Sequence, residues 1–237
     1  MPEQPSMSSQ DPGPVALVTG ASRGLGLAII RALAERGWTV VVDARQEVAL
    51  KEAVEELGHR VVAVSGDVAD PQHRGDLVST VVGLGRLDLL VNNASALGPS
   101  PLPRLEAFPL AALRSLFEVN VMAPLALIQE FLPLLRRSHG VLINVTSDAA
   151  VEGYEGWGGY GASKAALEQL SRVLAAEEQQ LHVYWVDPGD MNTAMHQEAY
   201  PDEDISDRPP PEASIPGLLH LIELRPSSGR YQAREIA

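Results

Sequence analysis

Short apolar runs rich in β-branched residues alternate with amphipathic stretches along most of this chain. The runs at 15–19, 38–43, 60–65, 87–92, 140–146 and 181–186 predict strands, and the stretches at 24–36, 46–57, 71–83, 110–137 and 161–180 predict helices. In Val40-Val41-Val42 and Leu87-Asp88-Leu89-Leu90-Val91 the apolar residues follow one another instead of alternating, which is the pattern of strands covered on both faces. Strands and helices in this alternation build an α/β fold with a doubly wound parallel sheet. The final part is less regular. Residues 189–211, rich in Asp, Glu and Pro, predict a mobile flap, followed by a helix at 212–224 and a short strand at 230–233. Residues 1–14 are Pro-, Ser- and Gln-rich with little to bury and predict a disordered tail; residues 15–237 then form a single domain.

Composition narrows the chemistry. The 237 residues include no cysteine, which removes disulfides, thiolate nucleophiles and cysteine-based zinc sites. The six histidines never recur at ligand spacing, so no metal is expected. A formal charge of -13 argues against binding to nucleic acid or to an anionic membrane, and weakly against an acidic carrier protein as substrate donor. No apolar run approaches the roughly eighteen residues that cross a bilayer, and the polar start is unlike a secretory signal; the expected location is the cytoplasm. The basic residues are sixteen Arg and only two Lys, Lys51 and Lys164. In so Arg-biased a chain, Lys164 marks a place that needs an ammonium instead of a guanidinium.

Candidate chemistry gathers at the ends of the predicted strands. Val15-Ala16-Leu17-Val18-Thr19 runs into Gly20, Gly24 and Gly26 and then into the apolar helix start at Leu25. This is a strand, a glycine loop and a helix N-terminus, an arrangement that offers free N–H groups to a pyrophosphate. Ser147 follows the strand at 140–146. Tyr160 and Lys164 stand four residues apart, so on a helix they share one face and put a phenol beside an ammonium. That cation is expected to make the phenol more acidic. Tyr154 lacks such a partner, because residue 158 is glycine, and Thr146 and Ser163 are neighbours of the motif residues without their spacing. Pro124, four residues after Asn120, has no N–H to pair with the Asn120 carbonyl in a continuous helix, so that carbonyl is expected to be free, either to hold a water or simply as part of a kink in a long helix.

Together, Thr19-Gly20-Ala21-Ser22-Arg23-Gly24-Leu25-Gly26, Ser147 and Tyr160-Gly161-Ala162-Ser163-Lys164 resemble the short-chain dehydrogenase/reductase family, in its compact single-domain branch, over residues 15 to about 193. The resemblance implies a Rossmann-like fold and a tetrad of Asn120, Ser147, Tyr160 and Lys164. Tyr160 would act as general acid or base, Ser147 would hydrogen-bond the substrate oxygen, and Lys164 would also hold the nicotinamide ribose. For the cofactor it implies contacts from Gly20, Ser22, Arg23, Gly24, Leu25 and Gly26, from Asp67 and Val68, from Asn92 and Ala94, and from Pro188, Gly189, Met191 and Thr193. Ser95 stands where the family's Asn-Asn-Ala segment usually has glycine. In the same alignment Ala44 occupies the position of the acidic residue that favours NAD, with Arg45 beside it, so NADP(H) is expected, its 2′-phosphate meeting Arg45, Arg23 and Ser22. A slip of one residue would instead bring in Asp43 and favour NAD(H). Asp187, beside the Pro-Gly segment, reads as a cap. The resemblance also implies a homodimer or homotetramer assembled through the helices at 110–137 and 161–180 and the final helix and strand.

The substrate pocket is expected between residues 95–108, 149–158 and the flap after Thr193. Tyr154, Trp157, Met191, Met195 and His196 offer an apolar, partly aromatic lining, and Asp148, Glu152 and Glu155 an acidic rim. The expected activity is hydride transfer between NADP(H) and the carbonyl or secondary alcohol of a hydrophobic small molecule. Two other readings share the fold: a 3-ketoacyl-thioester reductase, and a non-catalytic NADP(H)-sensing protein. The intact tetrad speaks against the last, since a sensor needs no proton donor.

Overall fold

A computed structural model describes residues 13–236. All but the last two residues of the expected tail therefore lie outside the described residues. Seven strands form one sheet: β1 (Val15–Val18), β2 (Thr39–Ala44), β3 (Val61–Ser65), β4 (Leu89–Asn92), β5 (Val141–Val145), β6 (His182–Asp187) and β7 (Gly229–Gln232). Their order is β3-β2-β1-β4-β5-β6-β7 and every pairing is parallel. The central strands β1, β2, β4 and β5 are buried along their whole length, as their unbroken apolar runs require.

Alternate residues of each strand feed two separate cores. One face, with Val18, Val42, Val91, Ile143 and Val186, packs against α1 (Gly24–Glu35) and α8 (Ile215–Leu224). The opposite face, with Leu17, Val41, Leu90, Leu142 and Val183, packs against α3 (Pro71–Gly83) and α5 (Ala123–Ser138). Helix α2 (Glu47–Val54) is shorter than expected and continues as a single 3-10 turn to Leu57. α3 starts where the sequence signals it, with the Asp70 side chain accepting a bond from Gln72 N–H and Pro71 in the first turn.

The long helix expected at 110–137 is broken in two. Helix α4 (Leu110–Phe117) and α5 are joined by a π-helical turn at Glu118–Met122, where the Ala123 N–H reaches back to the Glu118 carbonyl. Proline explains the break, since Pro124 cannot donate to the preceding turn. The stretch Leu110–Ser138 is long and apolar enough by length and composition to cross a membrane. Sequence runs understated it because Arg114, Glu118 and Glu130 interrupt the apolar residues. Its inner face, with Leu127, Ile128, Phe131 and Leu135, belongs to the sheet core, while Leu110 and Met122 are exposed.

Helix α6 (Gly158–Glu177) begins three residues earlier than expected and so takes Tyr160 into its first turn. The expected flap is more ordered than a loop: it contains α7 (Ala194–Ala199), capped by the Thr193 hydroxyl, and Asn192 N–H bonds to Pro209 carbonyl at 2.8 Å. Helix α8 starts three residues later than its expected bound, after a 3-10 turn at Pro211–Ser214. It lies so close to the C-terminal turn that a Cβ at Gly217 would sit 1.7 Å from the Ala233 carbonyl oxygen. Gly217→Ala should therefore lower the unfolding free energy by about 1–3 kcal/mol, the usual range for an overpacked site. Urea titration reads this as a lower midpoint, and an unchanged midpoint would contradict the packing.

Candidate active site

The order of the sheet reverses between β1 and β4, so the loops leaving these strands diverge and open a crevice at their carboxyl ends. The glycine loop lies there. Gly20 and Gly24 have φ of 69° and 58°, a backbone region that side chains disfavour. A Cβ at Gly20 would stand 2.8 Å from Ala94 Cα, so the loop after β4 seats directly on the glycine. Leu25 and Gly26 are buried behind this loop in the start of α1, and a Cβ at Gly26 would meet the Gly20 carbonyl at 2.4 Å. Among the described residues no side chain caps α1, which leaves its first-turn N–H groups to an incoming anion.

Side chains to which the sequence assigned no such role hold this loop. The Thr19 hydroxyl accepts bonds from Asn93 and Ala94 N–H, each at 3.0 Å, and Asn93 Nδ2 donates to the Thr19 carbonyl at 2.8 Å and the Gly20 carbonyl at 3.1 Å. Asp43 is 1% exposed; its Oδ1 accepts from Gly20 N–H at 2.7 Å and its Oδ2 pairs with His73 Nε2 at 3.1 Å. The carboxylate that could have bound a ribose is thus turned inward to fasten the glycine loop. Asn92 also turns inward, its Nδ2 donating to Asn144 Oδ1 at 2.8 Å while its Oδ1 is buried without a partner among the described residues.

Arg45 is exposed just past β2, beside buried Ala44. Ser22 is half-buried in the loop and Arg23 is exposed, in a loose contact of 3.9 Å with Glu198 of α7. An exposed pair of this kind contributes little, so Arg23 can exchange it for a phosphate. Asp67 is exposed after β3, with Oδ1 bound to Ala69 N–H, and Val68 beside it is buried. Met191 and Thr193 lie across the crevice, with Thr193 Cγ2 3.6 Å from where a Gly24 Cβ would be. Gly189 has a φ of 73° and follows buried Pro188; its N–H donates to Asp187 Oδ1 at 2.9 Å, so Asp187 is the cap its position indicated. The glycine cradle, the uncapped helix and the two exposed arginines fit a dinucleotide with a phosphorylated adenosine ribose.

At the neighbouring strand ends Ser147, Tyr160 and Lys164 converge. Lys164 is 2% exposed, donates from Nζ to the Val145 carbonyl at 2.8 Å, and lies 5.6 Å from the Tyr160 ring centroid. Burial pushes the ammonium down to about 8. The expected acidification of the phenol is not what the protein's own groups produce. Burial pushes Tyr160 well above its ordinary value, hydrogen bonds with Ser95 and Ser147 pull it down only in part, and the charges of Asp187 and Asp148 raise it further. Removal of the phenol from water is the largest effect, and the Lys164 cation is not among the groups that shift it.

Ser147 has two roles in the local backbone. Its hydroxyl accepts from Ala149 N–H at 3.2 Å, capping a 3-10 turn, and donates to Asp148 Oδ1 at 2.9 Å. Asn120 lies in the π turn and uses its side chain as a fastener: Oδ1 accepts from Ala96 N–H at 2.8 Å and Ser95 hydroxyl at 3.2 Å, while Nδ2 donates to the Ala96 carbonyl and Ser163 hydroxyl, both at 2.9 Å. Ser163, which lacked the motif spacing, completes this link by donating to the Tyr160 carbonyl at 2.7 Å. Ser95 joins Asn120 to the Tyr160 hydroxyl, a function the glycine it replaces could not have.

A cavity of about 280 Å³ opens over this group. Tyr154, Trp157, Met191, Met195 and His196 line it as expected, together with Tyr200 and Asp148. From the expected 95–108 wall only Leu97 reaches it, because the chain beyond residue 98 passes outside. Tyr154 hydroxyl donates to Asp148 Oδ2 at 3.0 Å, and this bond pushes its phenol above the ordinary value. Of the expected acidic rim, Asp148 faces inward; Glu155 turns to Arg104 at 3.2 Å and Glu152 lies outside the cavity. Among the described residues no lysine or arginine lines it.

Known proteins place this arrangement. The family model for short chain dehydrogenases matches residues 14–204. An uncharacterized oxidoreductase of Saccharomyces cerevisiae is 36% identical over 186 residues, 77% of this chain and 72% of that protein. Mouse (Mus musculus) sepiapterin reductase is 36% identical over 200 residues, 77% of this chain and 76% of its own length. Among solved structures, a short chain dehydrogenase of Escherichia coli CFT073 complexed with NADPH superposes with a TM-score of 0.86 at 31% identity, over 95% of this chain and 99% of that one. With its seven-stranded parallel sheet and the site residues at its carboxyl edge, the chain belongs to the short-chain dehydrogenase family.

Proposed function

We propose that this protein is an NADP(H)-dependent reductase of ketones or aldehydes with a compact, largely apolar body, Tyr160 being its general acid. The observation that carries this reading is the phenol itself. It is buried at the floor of the cavity, keeps its proton across the physiological range, and stands beside Ser147 and Lys164. A phenol in its protonated form can donate to an oxygen that becomes an alkoxide, a stronger base than phenolate, which is the demand of carbonyl reduction. The cofactor, when bound along the glycine loop, supplies the hydride. Ser147 turns its hydroxyl from Asp148 to the substrate oxygen and fixes it within reach of Tyr160.

The cofactor preference rests on Ala44, the inward orientation of Asp43 and the exposed Arg45 and Arg23, and is supported by the NADPH complex of the E. coli relative. The lining of Asp148 with aromatic and thioether side chains, without lysine or arginine among the described residues, favours neutral over anionic substrates. It counts against a thioester delivered on an acidic carrier.

A panel of ketones and alcohols with NADPH and NADH, run beside Tyr160→Phe, tests the assignment. The variant should bind NADPH and turn over at least about a hundredfold more slowly, the loss typical of a missing general acid; near-normal turnover would remove Tyr160 from that role. Arg45→Ala should raise KM for NADPH by about tenfold to a hundredfold, the contribution of a charge-assisted hydrogen bond of about 1.5–3 kcal/mol. KM for NADH should be unmoved, and a parallel loss for both cofactors would contradict the phosphate contact. Lys164 is lowered to about 8, so its charge is present below that pH and lost above it. The kcat/KM for NADPH, which reports the free enzyme, should therefore be level below about pH 8 and fall about tenfold per unit above it. A profile level to pH 10 would exclude a role for the ammonium.

A further inference from the structure

We propose that Arg230 is a positioning residue for Ser147, acting through the backbone. This inference rests on the reading of Ser147 as the group that fixes the substrate oxygen. The last rung of the ladder between β5 and β6 is the bond from Thr146 N–H to the Val186 carbonyl at 2.8 Å. Ser147 is thus the first residue off the sheet, and its carbonyl accepts from Ala150 N–H at 3.1 Å in the turn that follows, with a second lone pair still to fill. Arg230, on β7, is the second and only long-range donor among the described residues: Nη2 donates to the Ser147 carbonyl at 3.2 Å across 83 residues of chain.

The same guanidinium is held on two further sides. Its Nε donates to Glu168 Oε1 at 2.9 Å and its Nη2 lies 3.4 Å from Asp187 Oδ2. Glu168, 1% exposed on α6, also accepts from the Thr146 hydroxyl at 3.0 Å, and Arg172 binds its other oxygen from the outside at 3.0 Å. Asp187 in turn fixes Gly189 N–H. One planar cation therefore ties together the end of β5, where Ser147 leaves the sheet, and the end of β6, where the Pro188-Gly189 turn begins. Both carboxylates are buried, and an uncompensated buried charge is strongly destabilising, so the three groups hold each other in place. A lysine could neutralise the charge but could not make the forked set of bonds. Arg230 lies beyond residue 204, where the match to the family model stops.

Small displacements of a substrate-fixing group reduce rate sharply, and the test follows from that. Arg230→Gln, Arg230→Lys and Arg172→Gln are compared with the wild type for kcat, carbonyl KM, NADPH Kd by fluorescence and thermal midpoint. Arg230→Gln should lower kcat at least about tenfold with Kd for NADPH changed less than about threefold, the signature of a loss expressed after binding. Arg230→Lys, with the charge but not the fork, should fall between, and it carries the test if the Gln variant does not fold. Arg172→Gln removes the outer partner of the same carboxylate but leaves Arg230 on Glu168 Oε1 and on the Ser147 carbonyl, and should stay within about twofold of wild-type kcat. Folded Arg230 variants with wild-type kcat, or an equal loss in Arg172→Gln, would overturn the proposal. A wild type without NADPH-dependent turnover on any carbonyl would instead sink the reductase reading, and this inference with it.

Discussion

At the carboxyl edge of a parallel sheet the strands part, and backbone groups that were paired in the ladder lose their partners. Buried polar groups of the main chain must be satisfied, and the site is built from the side chains that do so. Asp43 takes the Gly20 N–H, Thr19 and Asn93 exchange bonds with the opposite loop, Lys164 takes the Val145 carbonyl, and Asn120 takes both backbone groups of Ala96. Placement of the reactive groups and completion of the fold are thus one constraint. The Lys164 ammonium shows the balance most clearly: it is almost wholly removed from water, has one carbonyl to replace its hydration, and is shifted toward neutrality as a result.

Much of this was legible in the residues because it is local. The unbroken apolar runs gave the buried strands, the four-residue step gave a shared helical face for Tyr160 and Lys164, and Pro124 marked the place where the long helix breaks. The glycine loop could be read from spacing, since positive φ at Gly20 and Gly24 has few alternatives.

What escaped was non-local or depended on depth. Asp43 looked ambiguous because register and facing cannot be told from one strand; only the meeting of β2 with the glycine loop and His73 shows where its carboxylate goes. The phenol's direction of shift was misjudged because the sequence displays the neighbouring cation but not the loss of solvent, and loss of solvent is the largest effect. Ser163 lacked the motif spacing and Ser95 read only as a replaced glycine, yet they attach Asn120 to the backbone and hydroxyl of Tyr160. The flap hid a short helix because its Thr193 cap precedes only six helical residues.

The set formed by Thr146, Glu168, Asp187 and Arg230 draws one side chain from each of a strand end, a helix, a second strand end and the sheet's outer strand. Such a set cannot be transplanted piecemeal. A chimera that borrowed only the C-terminal segment from a relative, to alter what the cavity accepts, would strand two interior carboxylates. Recombination between homologues should keep positions 187 and 230 from the same parent.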